Sequence, residues 1–438
     1  MTAREAFKRA FNLFSPKFSL ATREDLLRKF YVPREKKRLE RFKGNVIFGP
    51  SDGKFLLYGH RGCGKSTELA RLAYDDELVD THFVVFFSIT GEATLWDIDY
   101  ADVLIAIASR LFRTARDKGL SIGEDLLEEV FKWFDEVTKV TTAQIQAEAT
   151  FAQKLYLLFL ELATRGKVEV GTREEIRKKV WRREGELVSK IDKLISAVKI
   201  ADERRSGKPK NVLIVIDDLD HISKIELAHQ IFVEHLDAIT APMCKIVYTV
   251  PLSFARRKEF NDILPRFDHH TLLPVVKIRN RDGTVNEENF ELLRRVVAKR
   301  LPLDFIEGEA LDYAINKSGG VLRELIRYLH QSCLTALTKG APCITHEMIK
   351  EVVDERRKVF AQQLEYDDYK VLMGVSPEVR AYRIDDRFRE LLFHLSILQY
   401  ENDDVWYDLH PVVKDLVAEY EANGRRRKAR KANDALAR

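Results

Sequence analysis

The chain is poor in the residues that staple small or secreted domains. Its 438 residues hold four cysteines, Cys63, Cys244, Cys333 and Cys343, with no CxxC pair and no Cys/His spacing suited to zinc. Neither a disulfide framework nor a structural metal is expected, and a reducing compartment is. No apolar run approaches the roughly 20 residues that span a bilayer. The opening MTAREAFKRAF lacks a secretory apolar core, so a cytoplasmic protein without membrane contact is expected. No nuclease, protease or deaminase constellation stands out either. What is present is a soluble globular balance, 32% charged and 45% hydrophobic residues, over a length that suits two or three domains.

Positive charge is concentrated in two places. Residues 425–438 carry seven basic and one acidic side chain, and residues 165–210 carry fifteen basic and eight acidic. The remainder of the chain is net acidic. Such segments suit an acidic partner such as nucleic acid, or simply a solvated helix face and a frayed end.

The strongest signal is the run Phe55–Thr67, FLLYGHRGCGKST, which contains G-x-x-x-x-G-K-S from Gly59 to Ser66. A short apolar strand precedes it and a helix-prone stretch follows. Phosphate binding needs that order. The strand aims the loop, glycines let backbone N–H groups face the anion, and the helix begins beneath it with its positive end. Gly59, Arg61, Gly62, Cys63, Gly64, Lys65, Ser66 and Thr67 are therefore the candidate phosphate cradle. Lys65 would reach the β- and γ-phosphates of ATP, and the Ser66 hydroxyl would ligate Mg²⁺. A second strand, Val212-Leu-Ile-Val-Ile-Asp-Asp-Leu-Asp220, ends in acid after a run of apolar residues suited to burial on both faces. Asp217 would hold Mg²⁺ and Asp218 would polarise the attacking water. Asp218 is one methylene shorter than the glutamate often found at that position, which predicts slow or partner-dependent hydrolysis. Further strands are expected over Thr81–Ser88, Lys245–Val250 and His270–Ile278, the last at an edge because of Pro274. With the helix Ile225–Ile239 they predict an α/β fold, a parallel doubly wound sheet with its ligand at the strands' carboxyl ends.

With these motifs in this order the chain resembles an AAA+/STAND-type P-loop ATPase over roughly residues 22–416. The resemblance implies further roles. Thr249, at the end of the strand after the acidic one, would sense the γ-phosphate. Arg266, in Ile263-Leu-Pro-Arg-Phe-Asp268, would be an arginine finger offered to a neighbouring subunit, with Arg256 and Arg257 as rivals. Arg323, in Ser318-Gly-Gly-Val-Leu-Arg-Glu-Leu325, would couple a helical lid to the γ-phosphate. Tyr31 and Val32 would contact adenine, and His410 would sense ADP.

The resulting division is an N-terminal segment with the first part of the core (1–96), a helical, coiled-coil-like insertion (97–210), the rest of the core (211–285), a helical lid (286–364), a winged helix (365–416) and a basic tail (417–438). The winged helix rests on a helix over Phe388–Leu398 and a hairpin of Ser396–Tyr400 with Val405–Leu409 around Glu401–Asp404. Its Asp385–Glu390 segment sums to −1, poor equipment for reading bases. In the insertion, Leu126, Leu127, Val130, Phe131, Phe134 and Val137, then Phe151, Leu155, Leu158 and Leu162, then Ile176, Val180, Leu187, Ile191, Leu194 and Val198, recur at helical spacing. They would form a self-packed core, a docking module or an oligomer contact. The expected function is an ATPase switch working with a protein partner or effector, in bacterial antiphage defence or signalling by analogy with the family. The alternatives are a DNA-handling ATPase of the replication-initiator or transposition-regulator kind, and a nucleotide-binding scaffold without turnover.

Overall fold

The apolar runs become strands of one sheet because both of their faces are buried. In the computed structural model these are β1 (Lys54–Gly59), β2 (His82–Ser88), β3 (Asn211–Asp217), β4 (Lys245–Pro251) and β5 (His269–Leu272). Their order is β2-β3-β4-β1-β5 with parallel pairing, the expected P-loop-type α/β sheet. Every residue of β1 and β4 is buried. Residues 1–138, 149–165, 170–380, 382–401 and 404–436 are described. Lys167 of the first basic segment, Asn402 and Asp403 of the expected hairpin turn, and Ala437 and Arg438 of the tail lie outside them.

Several expected elements end elsewhere. β5 stops at Leu272, two residues before Pro274, which has no N–H to give a ladder, so the strand expected through Ile278 is only its first part. The single helix expected over Ile225–Ile239 is a helix Ile225–His229, a π turn Gln230–Glu234 and a helix Leu236–Thr240. The wide turn carries Phe232, whose ring centroid lies 6.0 Å from those of both Tyr248 and Phe254.

The chain forms two compact units. One holds Glu35–Tyr58 and Glu68–Leu272; the other holds Met1–Arg34, Gly59–Thr67 and Leu273–Arg438. In the first, the insertion's stripes pack on one another and on the helix Tyr100–Asp117. Leu127, Val130, Phe134, Leu155, Leu158, Ile191, Leu194 and Val198 are all buried. Phe134 and Phe112 both pack against Phe159, with centroids 4.9 and 6.1 Å away. Self-packing is thus what these residues do. Much of the positive charge in 165–210 is spent within the unit. Arg173 pairs with Asp97, Arg177 with Asp102, Arg183 with Glu136 and Glu186, Lys190 and Lys193 with Glu129, and Lys208 with Asp80. A cation already neutralised by a carboxylate contributes less to phosphate binding by counterion release.

In the second unit, the N-terminal helix Ala3–Leu13 carries a Thr2/Glu5 capping box and lays Phe7 against Phe305 and Phe11 against His330. Helices Glu287–Ala298, Gly308–Ser318, Leu322–Lys339 and His346–Gln363 follow. The glycine pair between the second and third is forced. Gly320 sits at φ 80°, and a Cβ there would fall 1.7 Å from the Val276 carbonyl oxygen. Further on, the helix expected over Phe388–Leu398 spans Asp386–Phe393. Leu395 takes a left-handed φ of 65° and Ser396 N bonds back to Leu391 O, so the chain turns out of the helix into strand. β6 (Ile397–Glu401) and β7 (Val405–Leu409) pair antiparallel, and the helix Pro411–Leu436 runs on into the basic segment. Among the described residues no helix is long and apolar enough to cross a membrane.

Candidate functional site

β1 delivers the chain to a loop, His60–Gly64, which opens directly into the helix Lys65–Ala73. A helix starting there leaves its first N–H groups and the positive end of its dipole at the loop. Gly62 adopts φ 77°, and a Cβ there would lie 2.6 Å from Arg323 Cβ, so the backbone comes closer than any side chain would allow. The Gly62 carbonyl accepts from the backbone N–H of Arg323 at 3.1 Å, which ties the expected lid residue to the loop through its main chain while its side chain is exposed. Lys65 is buried, and its ammonium donates to the carbonyls of Gly59 (2.9 Å) and His60 (2.7 Å). Cys63 is fully buried, its Sγ 3.5 Å from the Leu273 carbonyl and 3.9 Å from Lys65 Nζ. Arg61 holds its guanidinium 4.8 Å above the Phe393 ring. Ser66 and Thr67 are half-buried in the first turn of the helix.

One loop contact escapes sequence reasoning. Arg34 is buried; its Nη1 donates to Pro274 O at 2.9 Å and its Nη2 to Cys63 O. Tyr31 and Val32, the expected adenine contacts, lie just past the helix Glu24–Phe30, with Val32 buried and Tyr31 half-buried. An arginine after Tyr-Val-Pro carries no periodicity that would mark it as buried, so only the folded chain reveals it.

The acidic strand end belongs to the other unit. Asp217 is buried and its Oδ1 accepts from the Asp218 N–H at 2.9 Å. Asp218 itself stands at φ 69°, a left-handed conformation that costs about 1 kcal/mol and that aspartate tolerates better than most residues. β2 and β3 pair Ser88 with Asp217, and after the turn Ser88 Oγ donates to Asp218 Oδ2 at 2.5 Å. His221 Nδ1 lies 3.2 Å from the other oxygen of Asp218. Asp218, Asp220 and His221 bring one donor atom each within 4.8 Å of one another. Neither Ser88 nor His221 is marked by the motif, since their approach depends on strand register and on the turn. Ile216 pairs with Tyr248, so Thr249 follows beside the strand end; it is buried and its hydroxyl donates to Ile216 O at 3.4 Å. Arg266 is exposed and pairs with Asp237, while Arg257 Nε lies 3.7 Å from Glu259.

His410 is fully buried at the corner between β7 and the last helix. Its ring centroid is 5.0 Å from that of Phe360, and its Nδ1 accepts from Val412 N at 3.3 Å. Nearby Glu324, also buried, is held by Arg356 and Arg327. Burial lowers the His410 pKa to about 4; Glu324 opposes the shift, and Arg356, Lys317 and Arg327 add to it. A histidine whose folded pKa lies below its unfolded value stabilises the fold above the unfolded pKa, and that stability is lost as pH falls toward 4. Between pH 7.5 and 5 the expected loss is about 2 kcal/mol. His82, in the other unit, is lowered to about 4 as well, first by burial and then by Lys245. Urea unfolding of wild type and His410→Gln at the two pH values isolates the His410 share. An equal pH dependence in both proteins would refute this assignment.

No protein-family model matches the chain, and no curated protein matches it. Solved structures do resemble it. The Cdc6p of Pyrobaculum aerophilum is 13% identical with a TM-score of 0.37, over 93% of this chain and 98% of that one. The ORC1 protein of Aeropyrum pernix, solved in complex with DNA, is 11% identical with a TM-score of 0.37, over 93% and 97%. The RuvB Holliday junction branch migration motor of Thermotoga maritima is 12% identical with a TM-score of 0.36, over 86% and 92%.

Proposed function

We propose that this chain is an ATP-binding, ATP-hydrolysing molecular switch of the AAA+/STAND kind that acts with a protein partner. The observation that carries it is the loop. G-x-x-x-x-G-K-S stands between the carboxyl end of a fully buried strand and the first turn of a helix, with Lys65 folded onto the loop's own carbonyls. The first N–H groups of the helix Lys65–Ala73 and the buried Lys65 ammonium are donors of the kind a triphosphate draws on. Mg²⁺, held by the Ser66 hydroxyl and the Asp217 carboxylate, would supply neutralisation of phosphate charge through the hard oxygen donors it selects. Asp218 is the acceptor for the attacking water's proton. Thr249 is the γ-phosphate sensor and Arg323 the lid sensor. Tyr31 and Val32 sit at the adenine, and His410 is the ADP-responsive residue of a winged helix over 365–416. Arg266, exposed and paired with Asp237 at the surface, is the arginine finger of a homo-oligomer. The cellular setting, a cytoplasmic role in bacterial defence or signalling beside a separate effector, comes from the family resemblance.

Calorimetric titration with Mg-ATP, paired with phosphate release, tests the core of this reading. Saturable heat and turnover above a buffer control are the expected results; no heat at millimolar ATP would end it. A second reading, a DNA-handling ATPase of the replication-initiator or transposition-regulator kind, draws on Arg425–Lys431 continuing the helix Pro411–Leu436. Salt-dependent DNA binding that is lost on deleting 425–438 would favour it. Heat from ATP with no turnover would instead identify a nucleotide-binding scaffold.

A further inference from the structure

A phosphate loop binds its anion with backbone N–H groups and its lysine, which leaves the variable side chains of the motif without a set task. Here two of them are committed elsewhere. His60 is 2% exposed, and its Nε2 accepts from the backbone N–H of Gln399 at 2.7 Å. Gln399 lies in β6, which among the described residues pairs with β7 alone, and it is 1% exposed. A buried strand-edge N–H needs an acceptor, and the loop supplies it. The next residue, Arg61, sets its guanidinium over Phe393, at the end of the helix that leads into the same hairpin.

Both ends of His60 are therefore in use. Its side chain holds the hairpin, and its carbonyl accepts from Lys65 Nζ at 2.7 Å. A second path closes the ring. Tyr400 of β6 donates its hydroxyl to Gly319 O at 2.8 Å, and four residues along the chain Arg323 N bonds Gly62 O. Loop, hairpin and glycine turn form one hydrogen-bonded circuit within a single compact unit.

We propose that His60 and Arg61 are positioning residues through which the Asp386–Phe393 helix and the β6–β7 hairpin hold the phosphate loop, so that nucleotide at the loop and docking of the hairpin are energetically coupled. This rests on the proposed ATP-binding role. A lysine that turns toward a phosphate must loosen its bond to the His60 carbonyl, and the same residue anchors the hairpin. By linkage, what the hairpin contributes to loop geometry, nucleotide returns as a change in hairpin docking.

Hydrogen exchange of the full-length protein, read over residues 397–409, tests this with and without Mg-ATP. Without nucleotide, His60→Ala is expected to speed exchange of the β6 segment about tenfold, the loss of one buried bond. His60→Gln, which keeps an acceptor near the position of Nε2, should recover part of the protection. Mg-ATP is expected to change exchange of the segment in wild type and to change it less in His60→Ala. Phe393→Leu, which removes the ring under Arg61 from the hairpin side, should also blunt the response, and it serves if His60→Ala is poorly folded. Unaltered β6 exchange in His60→Ala, or an ATP response equal in all four proteins, would overturn the proposal. Calorimetry on the same samples separates the two ways of failing. No ATP binding by wild type removes the functional reading and this one with it, whereas binding with an indifferent hairpin removes only this one.

Discussion

Replacing Lys65 with alanine is expected to abolish tight Mg-ATP binding, lowering affinity by about a hundredfold or more, the scale of losing a preorganised charged donor to a phosphate. Two effects add. The buried ammonium that would face the phosphates disappears, and the Gly59 and His60 carbonyls it satisfies lose their donor.

 That second loss also loosens the loop itself, so Lys65→Arg, which keeps the charge, should retain more affinity than Lys65→Met, which keeps only the length. Calorimetric titration measures all three, with thermal melting as the control for folding. Affinity in Lys65→Ala within a few-fold of wild type would mean that the loop does not hold the triphosphate.

Asp218→Asn separates binding from turnover. Asparagine tolerates the left-handed backbone at φ 69° at least as well as aspartate, so the turn after β3 should survive the change. What goes is the charge proposed to accept a proton from water. Removing a positioned general base typically costs 10²–10⁴-fold in rate, and a loss of about a hundredfold with ATP affinity retained is expected. Ser88→Ala leaves the carboxylate in place but removes the hydroxyl that donates to it at 2.5 Å. Its effect should be smaller, about tenfold or less, the scale of one hydrogen bond. Steady-state phosphate release resolves the series. If Asp218→Asn turns over like wild type, the attacking water is activated by another group.

How far these expectations could be read before folding depends on how local each one is. The strand–loop–helix around Lys65 is a run of adjacent residues, and its apolar and glycine positions state their own backbone needs. The same holds for β3, where apolar residues lead into Asp217, and for the β6–β7 pair, although the helix before it ends earlier because Leu395 turns left-handed. The stripes in the insertion announce helices, but periodicity is silent on whether a stripe meets its own neighbours or another chain. Burial of Leu127, Phe134, Leu158 and Leu194 answers that. Ser88, His221 and Arg34 could not be picked out, because nothing in their neighbourhoods distinguishes them from ordinary surface residues.

By itself the sequence determined that a buried parallel strand would open into a glycine-rich loop and a helix, and that a second such strand would end in two aspartates. Those outcomes follow from side-chain volume, backbone freedom and hydrogen-bonding capacity at neighbouring positions. The tertiary structure alone decided which distant groups complete them: Ser88 on Asp218 through strand register, Arg34 on the Cys63 carbonyl, and His60 on the Gln399 amide. Each of these joins residues dozens to hundreds of positions apart. Such a meeting is set by how whole elements pack, a property that no short stretch of chain encodes on its own.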